Sequence, residues 1–285
     1  MSGAGPHRLN ASFIAATRGK LFCVDHLPPA GQATRGCVLL LSPFAEELNK
    51  SRRMIALAAG RLAAAGWWVR VADLFGCGDS PGEFVAATWD GWVDDLAKLA
   101  ADAQRSSGGA LWLWGVRSGA LLVAPLFERL PQAHVLLWQP TLSGRQMLTQ
   151  FLRLKVAAGM LGETKGAGVN QLRDALLQGG PSLEVAGYEL SSVLARAVDR
   201  AAWGLPSSFG GRLAWLEVAQ DESAALSPAA QMQIDKLRAA GITVDAAAVT
   251  GPAFWQTSEI SECPALIEQT VARLEATHDA AVLNS

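Results

Sequence analysis

The chain has 285 residues, of which 50% are hydrophobic and 18% charged, and its formal net charge is −2. That apolar fraction can fill the core of one large domain, or of one domain with an insertion, and it excludes a disordered chain. No apolar run reaches the roughly 18 residues of a membrane-spanning helix. The nearly balanced charge gives no electrostatic footprint for nucleic acid or for an anionic bilayer.

The start of the chain and the cysteines indicate a cytoplasmic protein. The first ten residues, MSGAGPHRLN, carry no basic patch followed by an apolar stretch, so we expect no signal peptide. The four cysteines are scattered without a CxxC pair, which favours reduced thiols and predicts neither a metal site nor a cofactor. Histidine is equally scarce, with four residues, His7, His26, His134 and His278.

The first half of the chain alternates strand and helix patterns. Ser12–Thr17 and Lys20–Leu27 predict a hairpin. The apolar run Gly36–Ser42 is typical of a strand buried on both faces. Helix patterns follow at Lys50–Ala65, Trp89–Leu99 and Ser118–Leu130. Strand patterns lie between and after them, at Trp67–Asp73, Ala110–Trp114 and His134–Gln139. This alternation predicts an α/β protein whose mostly parallel sheet has helices on both faces.

The alternation stops over residues 141–209, where helix-like stretches are separated by glycines and prolines. It resumes with strands at Leu213–Val218 and Ile242–Val249 and helices at Pro228–Ala240 and Thr257–Leu274. We therefore expect a core formed by residues 1–140 and 210–285, with 141–209 as a helical lid inserted after the sixth strand. Such an insertion lies over the carboxyl ends of the strands, where open α/β sheets bind ligands.

One loop at that edge contains a G-x-G sequence. It runs from Asp73 to Gly82, and Pro81 stands where a helix should begin. The loop also follows the wrong strand for a dinucleotide-binding fingerprint, so we do not expect nucleotide binding.

Several segments resemble known families. A resemblance to α/β-hydrolases is visible in the segment AAAGWWVRVADLFGCGDSPGEF and in the following ATWDGWVDDL. A narrower resemblance, to the second type of exosortase A system-associated hydrolase, is carried by PFAEELNKSRRM, GVRSGALL and GPAFWQTSEISECPAL. That family is encoded with bacterial exopolysaccharide and protein-sorting systems. The resemblance implies the α/β-hydrolase fold, with an eight-stranded sheet and a helical lid.

The nucleophile of such hydrolases is the serine of G-x-S-x-G. Here the flanking glycines are Gly115 and Gly119, so the tip of the turn is Arg117. Ser118 comes one position late. We therefore expect its backbone N–H at the position of the oxyanion donor, and its side chain to point away from the position of the nucleophile. A displaced nucleophile at Ser118 remains the alternative.

The other triad positions are matched only in part. Asp221 and Glu222 follow the seventh strand of the core and are both available as the acid. The segment Gly251–Gln256, where the family has its histidine, contains none. A serine without an aligned base is a poor nucleophile. The residues therefore do not support the usual Ser-His-Asp mechanism.

We expect Arg117 to be the centre of the site, held by Glu46 or Glu47 from the loop after the third strand, because a partly buried guanidinium needs a carboxylate or an anionic ligand. One glutamate could instead act as base or nucleophile, or the pair could be purely structural. The residues expected to bind substrate are Phe44, Ala45, Asn49, Trp255, Met147 and Phe151.

These expectations favour a hydrolase or acyl transferase that acts on an ester or thioester in exopolysaccharide- or exosortase-linked metabolism, with a non-standard site. The expected partner is a small acyl or anionic molecule. The alternative is a catalytically inactive relative that binds a small anionic ligand or a partner protein.

Overall fold

A computed structural model describes residues 6–159, 167–221, 224–257 and 259–282, the last six of these through their backbone. Ten strands lie in this part of the chain: β1 (Arg8–Ala16), β2 (Gly19–Leu27), β3 (Gly36–Leu41), β4 (Trp67–Ala72), β5 (Ala110–Val116), β6 (His134–Trp138), β7 (Leu183–Val185), β8 (Tyr188–Leu190), β9 (Leu213–Ala219) and β10 (Val244–Thr250). The α-helices are α1 (Glu46–Ala64), α2 (Trp89–Ser107), α3 (Val123–Phe127), α4 (Gly144–Gly159), α5 (Val169–Leu177), α6 (Ser192–Arg200), α7 (Pro228–Ala239) and α8 (Pro264–Val282).

Eight of the strands form one sheet in the order β1-β2-β4-β3-β5-β6-β9-β10. Only the β1–β2 and β2–β4 pairs are antiparallel. Helices α1 and α8 bury their apolar residues on one face of the sheet, while α2, α3 and α4 bury theirs on the other. The predicted mostly parallel sheet with helices on both faces is confirmed.

The central strands are fully buried because both faces are covered. All six residues of β3 are buried, and the next strand in the sheet, β5, is buried from its second residue onward. An apolar sequence without alternation is what a doubly covered strand requires. These two strands end beside each other at the edge where the predicted site lies.

Two predicted helices differ from those observed. The predicted helix Ser118–Leu130 is a 3-10 turn at Arg117–Leu122 followed by the short α3. The turn is tight because Gly119 packs against the end of β3, where a Cβ would lie 1.9 Å from the carbonyl oxygen of Leu41. The last helix begins at Pro264 rather than at Thr257, which matches the preference of proline for the first helical position.

The segment between β6 and β9 contains α4, α5, the β7–β8 hairpin and α6. The predicted apolar face of α4 is observed, with Met147 and Phe151 buried. The hairpin was not expected from the sequence, because strands of three residues are too short to show an alternating pattern. Its turn has positive φ at Ala186 and at Gly187.

The glycine-containing loop after β4 is a turn organised by Asp73. Its carboxylate accepts the backbone N–H of Asp79 at 2.9 Å and the guanidinium of Arg52 at 3.0 Å. A Cβ on Gly78 would lie 2.0 Å from this carboxylate, so only glycine fits. The loop is thus closed around a buried carboxylate of its own chain.

A buried ion network joins the antiparallel edge of the sheet to α2. Arg70 on β4 donates to both carboxylate oxygens of Asp25, at 2.8 and 3.0 Å, and to Asp102 at 2.8 Å. Since the Arg70 and Asp25 side chains are almost completely buried, removing Arg70 would leave Asp25 as an uncompensated buried charge. None of the helices that the structure describes is long and apolar enough to cross a membrane.

The buried His26 should make stability fall in mild acid. Burial, with a smaller contribution from the neighbouring His7, lowers the pKa of His26 to about 4 from its ordinary value of 6.5. The unfolded chain therefore takes up this proton at a higher pH than the folded chain. The free energy of unfolding should fall by about 2–3 kcal/mol as pH drops from about 6.5 to about 4.

Urea unfolding at several pH values measures this dependence. In a His26→Gln variant, the free energy of unfolding should change less steeply between these two pH values. A His7→Gln variant should keep most of the slope, because His26 stays buried. Equal slopes for the His26→Gln variant and the unmodified chain would contradict this account.

Candidate active site

The turn after β5 carries Arg117 in the strained conformation of a nucleophile elbow. Arg117 follows the last residue of β5 and has φ 53°, in the left-handed region that side chains other than glycine rarely adopt. Gly115 packs against the backbone of Ala120, where a Cβ would come within 2.9 Å. As the glycine spacing predicted, Arg117 therefore occupies the tip of the turn.

The guanidinium of Arg117 is held on three sides. Its Nε and Nη2 donate to Oε1 of Glu47 at 3.3 and 3.0 Å, and Nη1 donates to the carbonyl oxygen of Gln139 at 3.1 Å. Its carbon Cζ lies 5.0 Å from the centre of the Trp255 ring. The Arg117 side chain is 11% exposed. A guanidinium has five N–H groups, so two of them find no acceptor among the described residues.

Of the two glutamates considered for this contact, only Glu47 reaches Arg117. Glu46 forms an ion pair with Lys50, one helical turn further along α1, at 2.8 Å. Both hydrogen bonds from Arg117 end on Oε1 of Glu47, so Oε2 has no partner in the described part of the chain. Glu47 is 28% exposed and lines an open cleft.

The side chain of Ser118 contacts the backbone of the loop that follows β3. Its side chain is buried, and its Oγ accepts the backbone N–H of Phe44 at 2.8 Å. Phe44 belongs to the loop after β3, which in this fold supplies one donor of the oxyanion hole. The hydroxyl of Ser118 thus already accepts one backbone N–H of this loop.

Neither Asp221 nor His134 forms a hydrogen bond with Ser118. Asp221 is exposed beyond the end of β9, and its carbonyl oxygen accepts the hydroxyl of Thr250. Glu222 and the side chain of His278 lie outside the described residues. His134 begins β6 at the opposite, amino edge of the sheet, where its Nδ1 accepts the backbone N–H of Arg212 at 3.0 Å. This position gives it no role at the carboxyl edge.

A cleft of about 390 Å³ opens beside the Arg117–Glu47 pair. Helix α1 forms one wall, α4 the other, and the segment after β10 closes the end. Its lining residues are Phe44, Glu46, Glu47, Lys50, Met147, Gln150, Phe151, Arg153, Leu154, Trp255 and Gln256. The size is in the range of small-molecule sites.

Most of the predicted substrate-binding residues line this cleft, but two do not. Ala45 lines a smaller, apolar cavity beneath it, together with Ser118 and Cys77. Burial raises the pKa of the Cys77 thiol to about 12, so this cysteine is unreactive. Asn49 donates to the hydroxyl of Tyr188 at 2.9 Å and so ties α1 to the β7–β8 hairpin.

Sequence reasoning missed Gln139, Arg153 and Tyr188. Gln139 follows β6 directly, and the position rule that selected the other strand-end loops could have found it. Arg153 lies two residues after Phe151 on α4, but nothing in the sequence distinguished it from other surface arginines. No group of three or more His, Cys, Asp or Glu side chains within the described ranges is placed to hold a metal ion.

Comparison with known proteins decides the family. A family model described as Serine aminopeptidase, S33, matches residues 32–176, about half of the chain. The chain belongs to this α/β-hydrolase family. Among curated proteins no match was found.

Solved structures share the fold of this hydrolase at low sequence identity. Est1E from Butyrivibrio proteoclasticus with bound ferulic acid is 16% identical with a TM-score of 0.66, over 95% of this chain and 100% of that one. A carboxyl esterase from Bacillus coagulans with glycerol is 12% identical, TM-score 0.60, over 96% and 99%. A soluble variant of monoglyceride lipase from Saccharomyces cerevisiae with a substrate analog is 13% identical, TM-score 0.59, over 97% and 96%. The predicted α/β-hydrolase fold is confirmed.

Removal of the Glu47 carboxylate should destabilise this hydrolase. Glu47→Ala would leave the mostly buried guanidinium of Arg117 without its counter-charge, at a cost of about 2–4 kcal/mol in the free energy of unfolding. Glu46→Ala is the matched control, because it breaks only the half-exposed i,i+4 pair with Lys50 and should cost within about 0.5 kcal/mol. Urea unfolding followed by tryptophan fluorescence measures both. Equal costs would show that Arg117 does not depend on Glu47.

Proposed function

We propose that this hydrolase cleaves an ester or thioester, or transfers its acyl group, in the cleft beside Arg117, with Glu47 as the general base. The observation that carries the proposal is the geometry of Glu47. Its Oε1 is fixed by Arg117, and its Oε2 is free of partners among the described residues, on the wall of the cleft. A carboxylate held in one orientation can polarise a water molecule without a serine or a histidine.

The reaction then proceeds in two steps. A water on Oε2 of Glu47 attacks the acyl carbon, its proton passes to Glu47, and the carbonyl oxygen becomes an oxyanion. The tetrahedral intermediate expels the alkoxide or thiolate, which takes the proton back from Glu47. In acyl transfer, the hydroxyl of an acceptor replaces the water.

Two features support this chemistry. The backbone N–H of Glu46, the first residue of α1, donates no hydrogen bond to a described residue, and Glu46 lines the cleft, so the start of the helix can stabilise the oxyanion. Arg117 acts as a positioning residue: it holds Glu47 and does not itself line the cleft.

The biological context follows from the narrower sequence resemblance. PFAEELNKSRRM and GPAFWQTSEISECPAL lie at the two sides of this cleft, on α1 and after β10. We therefore place the reaction in cytoplasmic, exopolysaccharide- or exosortase-linked metabolism, with residues 141–209 as the lid.

A second candidate is a binding protein without catalysis. It is favoured by the contact between Ser118 Oγ and the Phe44 N–H, which engages the buried Ser118 hydroxyl with the backbone. In this case the cleft holds a small anionic ligand or contacts a partner protein, and Glu47 only neutralises Arg117.

A screen of p-nitrophenyl esters and acyl thioesters separates these candidates. If Glu47 is the base, Glu47→Gln should lower kcat/KM by about 10²–10⁴-fold, since its amide oxygen still accepts from Arg117 but cannot take a proton. Ser118→Ala should keep activity within a few-fold, and a fluorophosphonate should not label the enzyme. Glu46→Gln is the control.

The opposite pattern would contradict the proposal. Loss of activity and of fluorophosphonate labelling in Ser118→Ala would identify a displaced serine nucleophile. No turnover of any substrate, with ligand binding retained, would favour the binding protein.

A further inference from the structure

The charges that line the cleft are paired except for one. Glu46 is neutralised by Lys50 at 2.8 Å and Glu47 by Arg117 at 3.0 Å. Arg153, on α4, makes no ion pair or hydrogen bond with any residue that the structure describes. The cleft therefore carries one uncompensated positive charge, although the whole chain has a net charge of −2.

Apolar surface lies beside this charge. Phe44 and Phe151 form the floor, with ring centres 5.2 Å apart in an edge-to-face contact, and Met147 continues it along α4. Leu154 follows Arg153 directly and is 39% exposed, which leaves an apolar side chain open to the cleft. A ligand that covers these side chains and also reaches Arg153 must be both apolar and anionic.

We propose that the substrate is an acyl ester or thioester whose leaving group bears an anion, a phosphate or a carboxylate, and that Arg153 is the residue that selects it. The inference rests on the proposed function, because it assumes that this cleft holds the substrate. The acyl chain lies on Phe44, Met147 and Phe151, while the anionic end of the leaving group lies near Arg153 at the rim.

The position of Arg153 fits a role in selection rather than in chemistry. Its side chain is exposed and lies on the wall opposite Glu47, so it adds binding energy without touching the reacting atoms. Because an exposed charge is screened by water and salt, its effect should be modest and should shrink as salt is added.

Isothermal titration calorimetry with short amphiphiles below their micelle concentration tests this inference. The probes are octyl phosphate, octanoate and the uncharged octyl glucoside. In the unmodified enzyme, at least one anionic probe should bind about five- to tenfold more tightly than octyl glucoside at low salt. Comparison of phosphate with carboxylate identifies which anion the rim prefers.

Three variants assign the effect. Arg153→Gln should remove the preference for the anionic probe and leave octyl glucoside binding unchanged, while Arg153→Lys should restore most of it. Arg145→Gln is the matched control, because Arg145 is also exposed on α4 but does not line the cleft. Equal losses in Arg145→Gln and Arg153→Gln, or no preference in the unmodified enzyme, would overturn the inference.

Titrations of the Glu47→Gln variant separate this inference from the proposed function. Binding does not need the base, so the preference should persist when turnover is lost. If Glu47→Gln leaves turnover intact while the preference at Arg153 is present, the assignment of the base fails and the selection of anions stands. If turnover depends on Glu47 but the preference is missing, only the selection fails.

Discussion

The ion pair between Arg117 and Glu47 joins the two elements that build the site. Arg117 stands at the strained turn after β5, and Glu47 at the start of α1, so the pair fixes the elbow against the loop that follows β3. A guanidinium at this depth keeps its charge, which makes a carboxylate partner necessary. Oε1 of Glu47 is held by Arg117, Oε2 has no partner among the described residues, and Glu47 lines the cleft. The same contact thus accounts for the closed elbow and for the proposed base.

The chain keeps the fold of its family, and Arg117 stands at the position of the serine in G-x-S-x-G. The mostly parallel eight-stranded sheet is that of an α/β-hydrolase. The tip of the turn holds Arg117, and the hydroxyl of Ser118 accepts a hydrogen bond from the Phe44 N–H. If the scaffold still catalyses, the carboxylate that neutralises the new arginine is the group best placed to do so.

The sequence predicted those parts of the site that depend only on where residues stand relative to the ends of the strands. Two glycines around Arg117 locate the tip, and the rule that strand ends share one edge brings the loop after β3 beside it. It could not choose between Glu46 and Glu47. That choice depends on the backbone at the start of α1, where Ala45 adopts a positive φ of 49°. A positive φ at an alanine cannot be predicted from the residue type. The contact of Ser118 with Phe44 was equally hidden, because a hydroxyl can point in several directions from the same backbone.

The least predictable parts were those with short elements. Strands β7 and β8 have three residues each, too few to show a period, yet they place Tyr188 against Asn49 and so alter the predicted role of that asparagine. Arg153 illustrates another limit. Its significance comes from the pairing of the other charges in the cleft, which only the fold shows.

The central claim is that Glu47 activates water directly, without an acyl-enzyme. A single turnover in ¹⁸O-labelled water, with enzyme in excess over a substrate found in the screen, tests it most directly by mass spectrometry of both product and protein. The account predicts one ¹⁸O atom in the product acid and no mass change on the protein. An acyl adduct on Ser118, or ¹⁸O in the Glu47 carboxylate, would contradict it, because either would identify a covalent nucleophile.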